Sequence, residues 1–308
     1  MHYSPADFAA SLSIDDCKIR NPPNLIFLCG GKTRSVGPIL SARDFFNREL
    51  TKKHPQVAQR VRLAEVVNNW FAPTVFTDLL ELETYLADLA PLTLLFVESA
   101  GSIAELGAFA ASDVLRSKTV AVINNFYDSA GTFIADGPIK KLLTDNAEHV
   151  HFYDWDPHNL GKPKTQLEFK AMTQDLVAFL AARDAKRVKQ PALDMNVKGH
   201  AMLFIADIIR LVGVMTITDV EDLLRVIGVS YDQAELHKYL SLIGAMGFVT
   251  LKRKSNQRFY VGGSSGSFIK YAYRKGAILV EAGRIRATLR ENLDALKARV
   301  LRESMRRA

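Results

Sequence analysis

Two glutamates in the stretch LLFVESAGSIAELGAFAA, residues 94–111, are spaced so that both could act on one substrate. The apolar run before Glu98 predicts a buried strand, and a short glycine-containing turn leads from it into a helix that carries Glu105. Such a pair suits cleavage of a glycosidic bond, because one carboxylate can attack or stabilise an oxocarbenium-like sugar carbon while the other group binds hydroxyls or transfers protons. We expect crowding of the like charges to raise the pKa of one carboxyl group.

A structural role for Glu105 is also compatible with its spacing. Ser102 can cap the helix, and a glutamate three residues later is in the position that closes a capping box. The small residues Ala100, Gly101 and Ala104 favour a binding site instead, because they leave room for a ligand against the backbone. Spacing alone leaves both roles open.

The surrounding elements predict an α/β fold, a Rossmann-like parallel sheet with helices on both faces. Strands and helices alternate along the first half of the chain, which implies right-handed crossovers. The predicted strands are 24–31, 92–98 and 118–125, and the predicted helices are 37–50, 78–90 and 103–117. Binding sites in such sheets lie outside the carboxyl ends of the strands.

That rule places a set of glycines and polar residues at the same edge of the sheet as the two glutamates. The predicted substrate-binding residues are Gly30, Gly31, Lys32, Arg34, Ser99, Gly101, Ser102 and Asn124. Glycines let the backbone approach a phosphate, and Lys32 or Arg34 could neutralise a phosphate or pyrophosphate. An ordinary turn between strand and helix is an equal alternative, because Gly-Gly-Lys lacks the spacing of the dinucleotide fingerprint and of the Walker loop.

The motif around Glu105 resembles the signature of nucleoside 2-deoxyribosyltransferases and related nucleotide N-glycosidases. The matching residues are Gly101, Ser102, Glu105, Leu106, Gly107 and Ala110. The resemblance extends over roughly residues 24–155 and implies a Rossmann-like fold in which Glu105 is the catalytic nucleophile. It further implies, more loosely, that Glu98 stands near an acidic sugar-binding position and that Asn124 lies near a site-lining asparagine.

The predicted domains are residues 1–190 and 191–308. The chain has 308 residues, of which 48% are hydrophobic, and this is enough for two ordinary cores. A polar, basic stretch containing Pro191 separates the region of alternating strands and helices from a helix-rich one, so we place the boundary at about 186–196.

The two halves of the chain differ in charge. Residues 1–185 hold 18 Lys and Arg against 22 Asp and Glu, whereas residues 186–308 hold 22 against 11. A half this basic favours nucleic acid, an acidic protein or an anionic surface as its partner. A solvated basic face is the simpler alternative.

The second domain is predicted to be a winged helix, in which a helix-turn-helix precedes a β-hairpin. The predicted helices are 200–215, 218–228 and 230–247, and the hairpin is 248–263. We expect capping boxes from Thr218 to Glu221 and from Ser230 to Gln233, with Gly228 and Gly247 closing the two helices.

The hairpin carries the residues predicted to bind nucleic acid, Lys252, Arg253, Lys254 and Arg258. Phe259 and Tyr260 would let bases of a single strand or of RNA stack beside them, unless the two rings form the core face of the hairpin. The third helix has only His237 and Lys238 as basic residues near its middle, which disfavours sequence-specific reading of a duplex.

The end of the chain predicts one amphipathic helix. Its apolar positions are Ile285, Leu289, Leu293, Leu296, Val300 and Leu301, and its basic positions are Arg284, Arg286, Arg290, Lys297, Arg299, Arg302, Arg306 and Arg307. The basic face is a candidate arm for nucleic acid or a partner subunit, and packing on its own domain is the alternative.

Composition favours a cytoplasmic protein without a metal site. We expect no secretory signal, because the first twenty residues lack a basic cluster followed by an apolar run. We expect no membrane span, because the apolar stretch 201–217 is interrupted by Asp207 and Arg210. Cys17 and Cys29 are too few for a disulfide framework or a zinc site. The histidines and aspartates of 149–161 are predicted to belong to a strand and its exit loop.

Two aromatic residues, Trp70 and Phe71, could cover the substrate pocket and stack on nicotinamide or a base. Core packing explains them equally well.

The chain as a whole is similar to the deoxyribosyltransferase-like effectors of bacterial retrons. This resemblance implies a toxin of anti-phage defence, held silent by a reverse transcriptase and its branched RNA-linked single-stranded DNA. It implies hydrolysis of the nicotinamide N-glycosidic bond of NAD, or of a related nucleotide, with NAD as substrate and no cofactor. We infer that Lys32 and Arg34 suit the pyrophosphate, and the family implies self-association to complete the pocket.

Two other functions remain open. One is a nucleotide-sensing regulator whose first domain binds without catalysis and whose winged helix binds promoter DNA. The other is a housekeeping transferase or hydrolase of nucleoside monophosphates, for which a basic second domain has little use.

Overall fold

The computed structural model describes residues 3–20, 22–68, 75–186, 190–263, 266–277 and 282–305. The strands are β1 (Lys18–Ile19), β2 (Ile26–Cys29), β3 (Val61–Leu63), β4 (Leu92–Val97), β5 (Thr119–Asn124), β6 (Val150–Tyr153), β7 (Val214–Met215), β8 (Val249–Lys254), β9 (Gln257–Gly262) and β10 (Ile269–Lys270). The α-helices are α1 (Pro5–Ala10), α2 (Ala42–Lys53), α3 (Pro55–Ala58), α4 (Ala64–Asn68), α5 (Leu79–Leu89), α6 (Ala100–Ala111), α7 (Asp113–Arg116), α8 (Lys140–Asp145), α9 (Pro163–Lys186), α10 (Lys198–Val212), α11 (Ile217–Val226), α12 (Gln233–Ala245), α13 (Ala282–Glu291) and α14 (Ala295–Met305).

The chain forms two compact units. The parallel-sheet unit contains the described residues of 23–69 and 90–187, and the helical unit contains those of 1–22, 70–89 and 188–308. The division at 187–188 lies within the predicted boundary region. The chain is nevertheless divided differently from the predicted domains, because two segments of the predicted first domain pack in the helical unit.

Strand pairing and close packing explain the difference. In the first segment, β1 pairs antiparallel with β10, with Ile19 opposite Ile269, and α1 packs on α11. In the second, α5 packs on α10 so closely that a Cβ atom on Gly199 would lie 2.0 Å from the carbonyl oxygen of Asp88. Each segment therefore belongs to the core of the helical unit.

The parallel-sheet unit confirms the predicted Rossmann-like fold. Its five strands are all parallel, in the order β3-β2-β4-β5-β6. The three central strands are buried along their whole length, as expected for a sheet covered on both faces. The two edge strands are partly exposed.

Helices cover both faces of this sheet. On one face, Phe45 and Phe46 of α2 and Phe169 of α9 pack with Leu94 and Phe96 of β4 in a continuous apolar core. Alternate residues of a strand point to opposite faces, so the residues of β4 between these face the other side, where α6 packs on β4 and β5. Both α2 and α6 begin at the carboxyl edge of the sheet.

The helical unit contains the three predicted helices and the predicted hairpin, joined by a short third strand. The sheet order is β7-β9-β8, all antiparallel, and Ser255 and Asn256 turn the hairpin with φ values of 48° and 60°. Positive φ at both central residues is the geometry that matches the twist of a two-residue hairpin. The predicted helix ends at Gly228 and Gly247 are confirmed, since both glycines have positive φ just beyond α11 and α12.

Both predicted capping boxes of this unit are wrong. The N-cap of α11 is Thr216, whose hydroxyl accepts the N–H of Asp219, and the N-cap of α12 is Asp232, whose side chain accepts the N–H of Glu235. Each helix has a second capping residue two positions from the predicted one, and sequence spacing alone does not choose between them.

The predicted single C-terminal helix is two helices, α13 and α14. The carboxylate of Asp294 accepts the N–H of Lys297 at 2.8 Å and so begins a new helix. Leu289 and Val300 are fully or almost fully buried, and Lys297 pairs with Asp219 of α11 at 2.8 Å. The described part of this segment therefore packs on its own unit, and Arg306 and Arg307 lie outside the described residues.

The central helix α10 is a core helix with a buried acidic residue. Asp207 is fully buried, and it accepts hydrogen bonds from the Phe268 N–H at 2.9 Å and the Tyr271 hydroxyl at 2.7 Å, while Arg210 pairs with it at 3.0 Å. None of the described helices combines the length and the apolar character that a membrane crossing requires.

We expect Asp207→Ala to destabilise the helical unit strongly. The substitution leaves a buried hydroxyl, a buried N–H and a partly buried guanidinium without their acceptor, so the free energy of unfolding should fall by about 3–5 kcal/mol. Urea titration followed by circular dichroism measures the change. Asp222→Ala is the matched control, because the Asp222 carboxylate is 62% exposed and pairs with Arg225 on the surface. Equal effects of the two substitutions would contradict the assignment of Asp207 as a structural anchor.

Candidate active site

The candidate site lies where the strand order of the parallel sheet reverses. The connection from β2 leads to β3 on one side, and the next strand, β4, lies on the other side of β2. The carboxyl ends of β2 and β4 therefore border the crevice in which open α/β sheets bind ligands. Gly30 and Gly31 follow β2, and Glu98 follows β4.

The two glycines bring the loops after β2 and β4 into contact. Gly30 has a φ of 133°, and a Cβ atom there would lie 2.5 Å from the carbonyl oxygen of Phe96. A Cβ atom on Gly31 would lie 2.8 Å from the nearer carboxylate oxygen of Glu98. The two glycines are thus needed because the backbone lies close to the end of the neighbouring strand, β4, whereas the sequence had suggested close approach to a phosphate.

The Glu98 carboxylate joins the two loops to the start of α2. It accepts the N–H groups of Gly31 at 3.3 Å, Ala42 at 2.7 Å and Arg43 at 3.1 Å. Burial raises the pKa of Glu98, and the three N–H donors oppose that increase. These contacts give the Glu98 carboxylate a structural task. Its predicted catalytic role stays a prediction.

The capping role considered for Glu105 is wrong, because α6 begins three residues earlier than predicted. Its N-cap is Ser99, whose hydroxyl accepts the Ser102 N–H at 3.2 Å. The Ser102 hydroxyl closes the box by accepting the N–H groups of Ser99 at 2.8 Å and Glu98 at 2.9 Å. Ser102 is buried, so the capping box accounts for both serines and leaves Glu105 free of this task.

The Glu105 carboxyl group is half-buried and incompletely satisfied. Its Oε2 atom is buried and has no hydrogen-bond partner among the residues that the structure describes. Burial raises the pKa of Glu105 to about 7, the nearby Arg43 guanidinium lowers it, and the Glu65 carboxylate raises it. The carboxylate that crowds Glu105 is therefore that of Glu65.

Arg43, which the sequence interpretation missed, connects these acidic groups. Its side chain is 1% exposed, its Nη1 donates to the Gly30 carbonyl at 3.1 Å, and its Nη2 forms an ion pair with Glu65. Its Nε is buried without a partner among the described residues, as is Oε2 of Glu105. One sequence signal existed, since a cation in the first turn of a helix opposes the helix dipole and needs another reason to be there.

The predicted phosphate-binding cations lie on the surface of the loop after β2. Lys32 and Arg34 are exposed, and Arg34 donates from Nε to the Pro38 carbonyl at 2.9 Å. The buried carboxylate of Asp44 accepts the Arg34 N–H at 3.1 Å and the Leu40 N–H at 2.9 Å, so this loop is fixed at both ends. The ammonium group of Lys32 has no ion-pair partner within the described part of the chain.

Asn124 lies at the same edge, at the end of β5. Its side-chain amide donates to the Trp155 carbonyl at 2.8 Å and accepts the Phe126 N–H at 3.0 Å. Gly101 is exposed in the first turn of α6, and no Cβ clash would occur there. Trp70 and Phe71 lie outside the described residues. Among the described residues, no group of three or more His, Cys, Asp or Glu is arranged to hold a metal ion.

In the helical unit, the hairpin aromatics belong to the core. Phe259 is 1% exposed and packs with Val214 and Val300, and Tyr260 is also buried. The core-face interpretation is therefore confirmed for Phe259, on which no base can stack, whereas Tyr260 also borders an open groove of this unit.

The predicted nucleic-acid-binding cations of the hairpin differ in their surroundings. Lys254 pairs with Glu303 at 2.6 Å, whereas Arg253 and Arg258 are exposed and Lys252 is half-buried. Two guanidinium groups of the four predicted cations are therefore presented to solvent.

The fold and the site together define a Rossmann-like α/β protein with an unsatisfied carboxyl group and a buried arginine at the switch point of its sheet. The chain belongs to the STM3845 retron effector protein family, whose sequence model matches residues 40–251. The resemblance to retron effectors is thus confirmed at the level of the family.

Two relatives from Escherichia coli are also similar to the chain. One is named "Retron Ec73 putative ribosyltransferase/DNA-binding protein" and is 26% identical over 253 residues, which cover 77% of this chain and 78% of that protein. The other carries the same description for retron Ec86 and is 31% identical over 134 residues, which cover 41% of this chain and 39% of that protein.

The pKa of Glu105 leads to a prediction about stability. Between its ordinary value of 4.5 and about 7, the folded chain holds a proton that the unfolded chain has lost, so the contribution of Glu105 to stability falls as pH rises through this range. At about 1.4 kcal/mol per pKa unit, the total is about 3 kcal/mol. Glu105→Gln should therefore gain about that much stability relative to the wild type between pH 5 and pH 8.

Urea unfolding at the two pH values measures this difference. Asp113→Asn is the control, because the Asp113 side chain is 89% exposed. The difference in stability between this variant and the wild type should change little with pH. If Glu105→Gln behaves as Asp113→Asn does, Glu105 has an ordinary pKa.

Proposed function

We propose that this chain is an N-glycosidase effector of a bacterial retron, which hydrolyses the nicotinamide N-glycosidic bond of NAD or the corresponding bond of a related nucleotide. The observation that carries the proposal is the Glu105 carboxyl group, half-buried at the point where the strand order reverses, with Oε2 lacking a partner among the described residues. The motif resemblance around Glu105 and the description of the two relatives as ribosyltransferases support it.

Glu105 is the proposed nucleophile. Its carboxylate oxygen forms a bond to C1′ of the ribose while the bond from C1′ to the nicotinamide nitrogen breaks and its electron pair neutralises the pyridinium. The leaving group is then neutral and needs no proton from the protein. Attack of water on C1′ releases ADP-ribose and a proton and regenerates the Glu105 carboxylate.

Arg43 favours the ionised form that this chemistry needs. Its positive charge lowers the pKa of Glu105, which burial and the Glu65 carboxylate raise. The ion pair of Arg43 with Glu65 and its bond to the Gly30 carbonyl keep the guanidinium beside the site.

The remaining predicted site residues are proposed to bind the nucleotide. Lys32 and Arg34 are exposed on one loop and suit the pyrophosphate. Glu98 and Asn124, together with the backbone from Ser99 to Gly101, lie at the edge where the ribose would bind.

The helical unit is proposed to be a winged helix that binds nucleic acid. Its elements follow the order helix, strand, two helices, strand, turn and strand from α10 to β9, which is the arrangement expected of that fold. The description of both relatives as DNA-binding proteins supports the proposal. The proposed partners are the retron reverse transcriptase and its branched RNA-linked single-stranded DNA.

Self-association is proposed on the basis of exposed aromatic side chains at the carboxyl edge of the sheet. Phe126 and Phe133, in the segment that follows β5, are 80% and 89% exposed. Large apolar side chains this exposed are typical of surfaces that another protein covers.

The rival function, a regulator that reads promoter DNA, requires the first turns of α12 to enter a major groove. Glu235 of these turns accepts the hydroxyl of Tyr85, and Lys238 pairs with Glu81 at 2.6 Å. Because α5 occupies this face of α12, we favour the enzyme.

We expect Glu105→Gln to abolish cleavage. The amide preserves shape but cannot attack C1′, so release of nicotinamide should fall by about a thousandfold or more. The assay incubates the complex of the chain with its reverse transcriptase and DNA with NAD under activating conditions, in which the wild type releases nicotinamide, and follows nicotinamide by chromatography. Asp113→Asn is the control and should retain full activity. Release that is unchanged in Glu105→Gln would defeat the proposal.

The pH dependence of cleavage should report the ionisation of Glu105. Because only the carboxylate attacks, kcat/KM should rise as pH increases through about 7. Glu65→Gln removes the charge that raises this pKa and should move the midpoint to lower pH, whereas Arg43→Gln should move it to higher pH. A midpoint that neither substitution moves would exclude Glu105 as the titrating group.

A further inference from the structure

A groove in the helical unit lies between the second half of α12 and the hairpin. Its volume is about 500 Å³, within the range of about 300–1,000 Å³ that small-molecule sites occupy. It is lined by the apolar residues Leu240, Val249 and Tyr260 and by the small residues Ser241, Gly244 and Ala245, with Arg253, Arg258 and His237 as its basic groups.

The two halves of α12 differ in their surroundings. The first half is engaged by α5, through the ion pair of Lys238 with Glu81 and the hydrogen bond from Tyr85 to Glu235. In the second half, a Cβ atom on Gly244 would meet nothing within 4 Å. The open surface is therefore a groove beside the hairpin and not the helix face that reads a duplex.

The two arginines of the groove carry like charges at opposed positions. Arg253 and Arg258 lie directly opposite each other on β8 and β9, and like charges at opposed positions destabilise a hairpin. Neither guanidinium has an ion-pair or hydrogen-bond partner among the described residues, whereas the neighbouring Lys254 is neutralised by Glu303. An anion between the two arginines would remove the repulsion.

We propose that this groove holds one unpaired nucleotide of a single-stranded nucleic acid, with the base among the apolar and small residues and the phosphate between Arg253 and Arg258. The inference rests on the proposed nucleic-acid binding of the helical unit and gives it a location. A nucleotide combines the two features that the groove offers, a flat base with little charge and an adjacent anion. A paired base lies inside its duplex and does not reach such a groove.

The test separates the base from the phosphate. The probes are two fluorescein-labelled oligodeoxynucleotides of about twelve positions, one of thymidine and one abasic with the same phosphates, and the measurement is fluorescence anisotropy with the full chain. Gly244→Leu fills the groove without changing charge, and Ala234→Leu, at an exposed position in the first turn of α12, is its matched control. Circular dichroism confirms that both variants fold.

We expect Gly244→Leu to weaken binding of the thymidine probe about tenfold and to leave binding of the abasic probe unchanged, while Ala234→Leu changes neither. Arg253→Gln together with Arg258→Gln should weaken binding of both probes and reduce the slope of log affinity against log salt by about one to two.

Three results would overturn the inference. Equal affinities of Gly244→Leu and the wild type for thymidine would show that no base enters the groove, while the effect of the arginine substitutions would still support nucleic-acid binding. Tighter binding of a duplex of the same length would exclude a site for an unpaired nucleotide. Absence of binding by the wild type would refute the groove together with the proposed nucleic-acid function.

Discussion

The hydrogen bonds of the Glu98 carboxylate are the constraint on which the candidate site depends. This group ends β4, and it accepts one N–H from the loop after β2 and two from the first turn of α2. α2 carries Arg43, and α6, which follows β4 directly, carries Glu105. The Glu98 carboxylate thus fixes α2, which carries Arg43, relative to α6, which carries Glu105. Burial raises the pKa of Glu98, and the three N–H donors oppose that increase, so the same hydrogen bonds that fix the loops also favour the ionised form.

Much of the fold could be predicted from the sequence, because buried strands and amphipathic helices leave periodic patterns that do not depend on distant residues. The parallel sheet and the helices of the second half follow from such patterns. Helix starts were less predictable, since Ser99 and Ser102 are both good capping residues and only the backbone decides between them. Placing the start of α6 at residue 103 made Glu105 a candidate capping residue. Because the helix begins at Ala100, the capping box is formed by Ser99 and Ser102, and Glu105 has no part in it.

The rest depended on contacts between residues far apart in sequence. The ion pair of Arg43 with Glu65 joins α2 to a short helix beyond an edge strand, and neither residue belongs to a motif. The periodicity of α5 shows that one face of this helix is buried, but not against what. α5 can pack on α10 because Gly199 has no side chain at the contact. Its position on α12 depends on the contacts that Tyr85 and Glu81 make with that helix. Such complementarity exists only in the folded chain.

The location of α5 has a consequence for how the two units are linked. In sequence, α5 lies between Glu65, whose charge acts on Glu105, and Glu98, which fixes the loops of the site, yet it packs within the helical unit. Two domains joined by one linker would lack such a connection, because neither would contain a segment of the other. Here the chain passes between the units four times. The residues on both sides of α5 thus connect the helical unit covalently to two residues of the candidate site, Glu65 and Glu98.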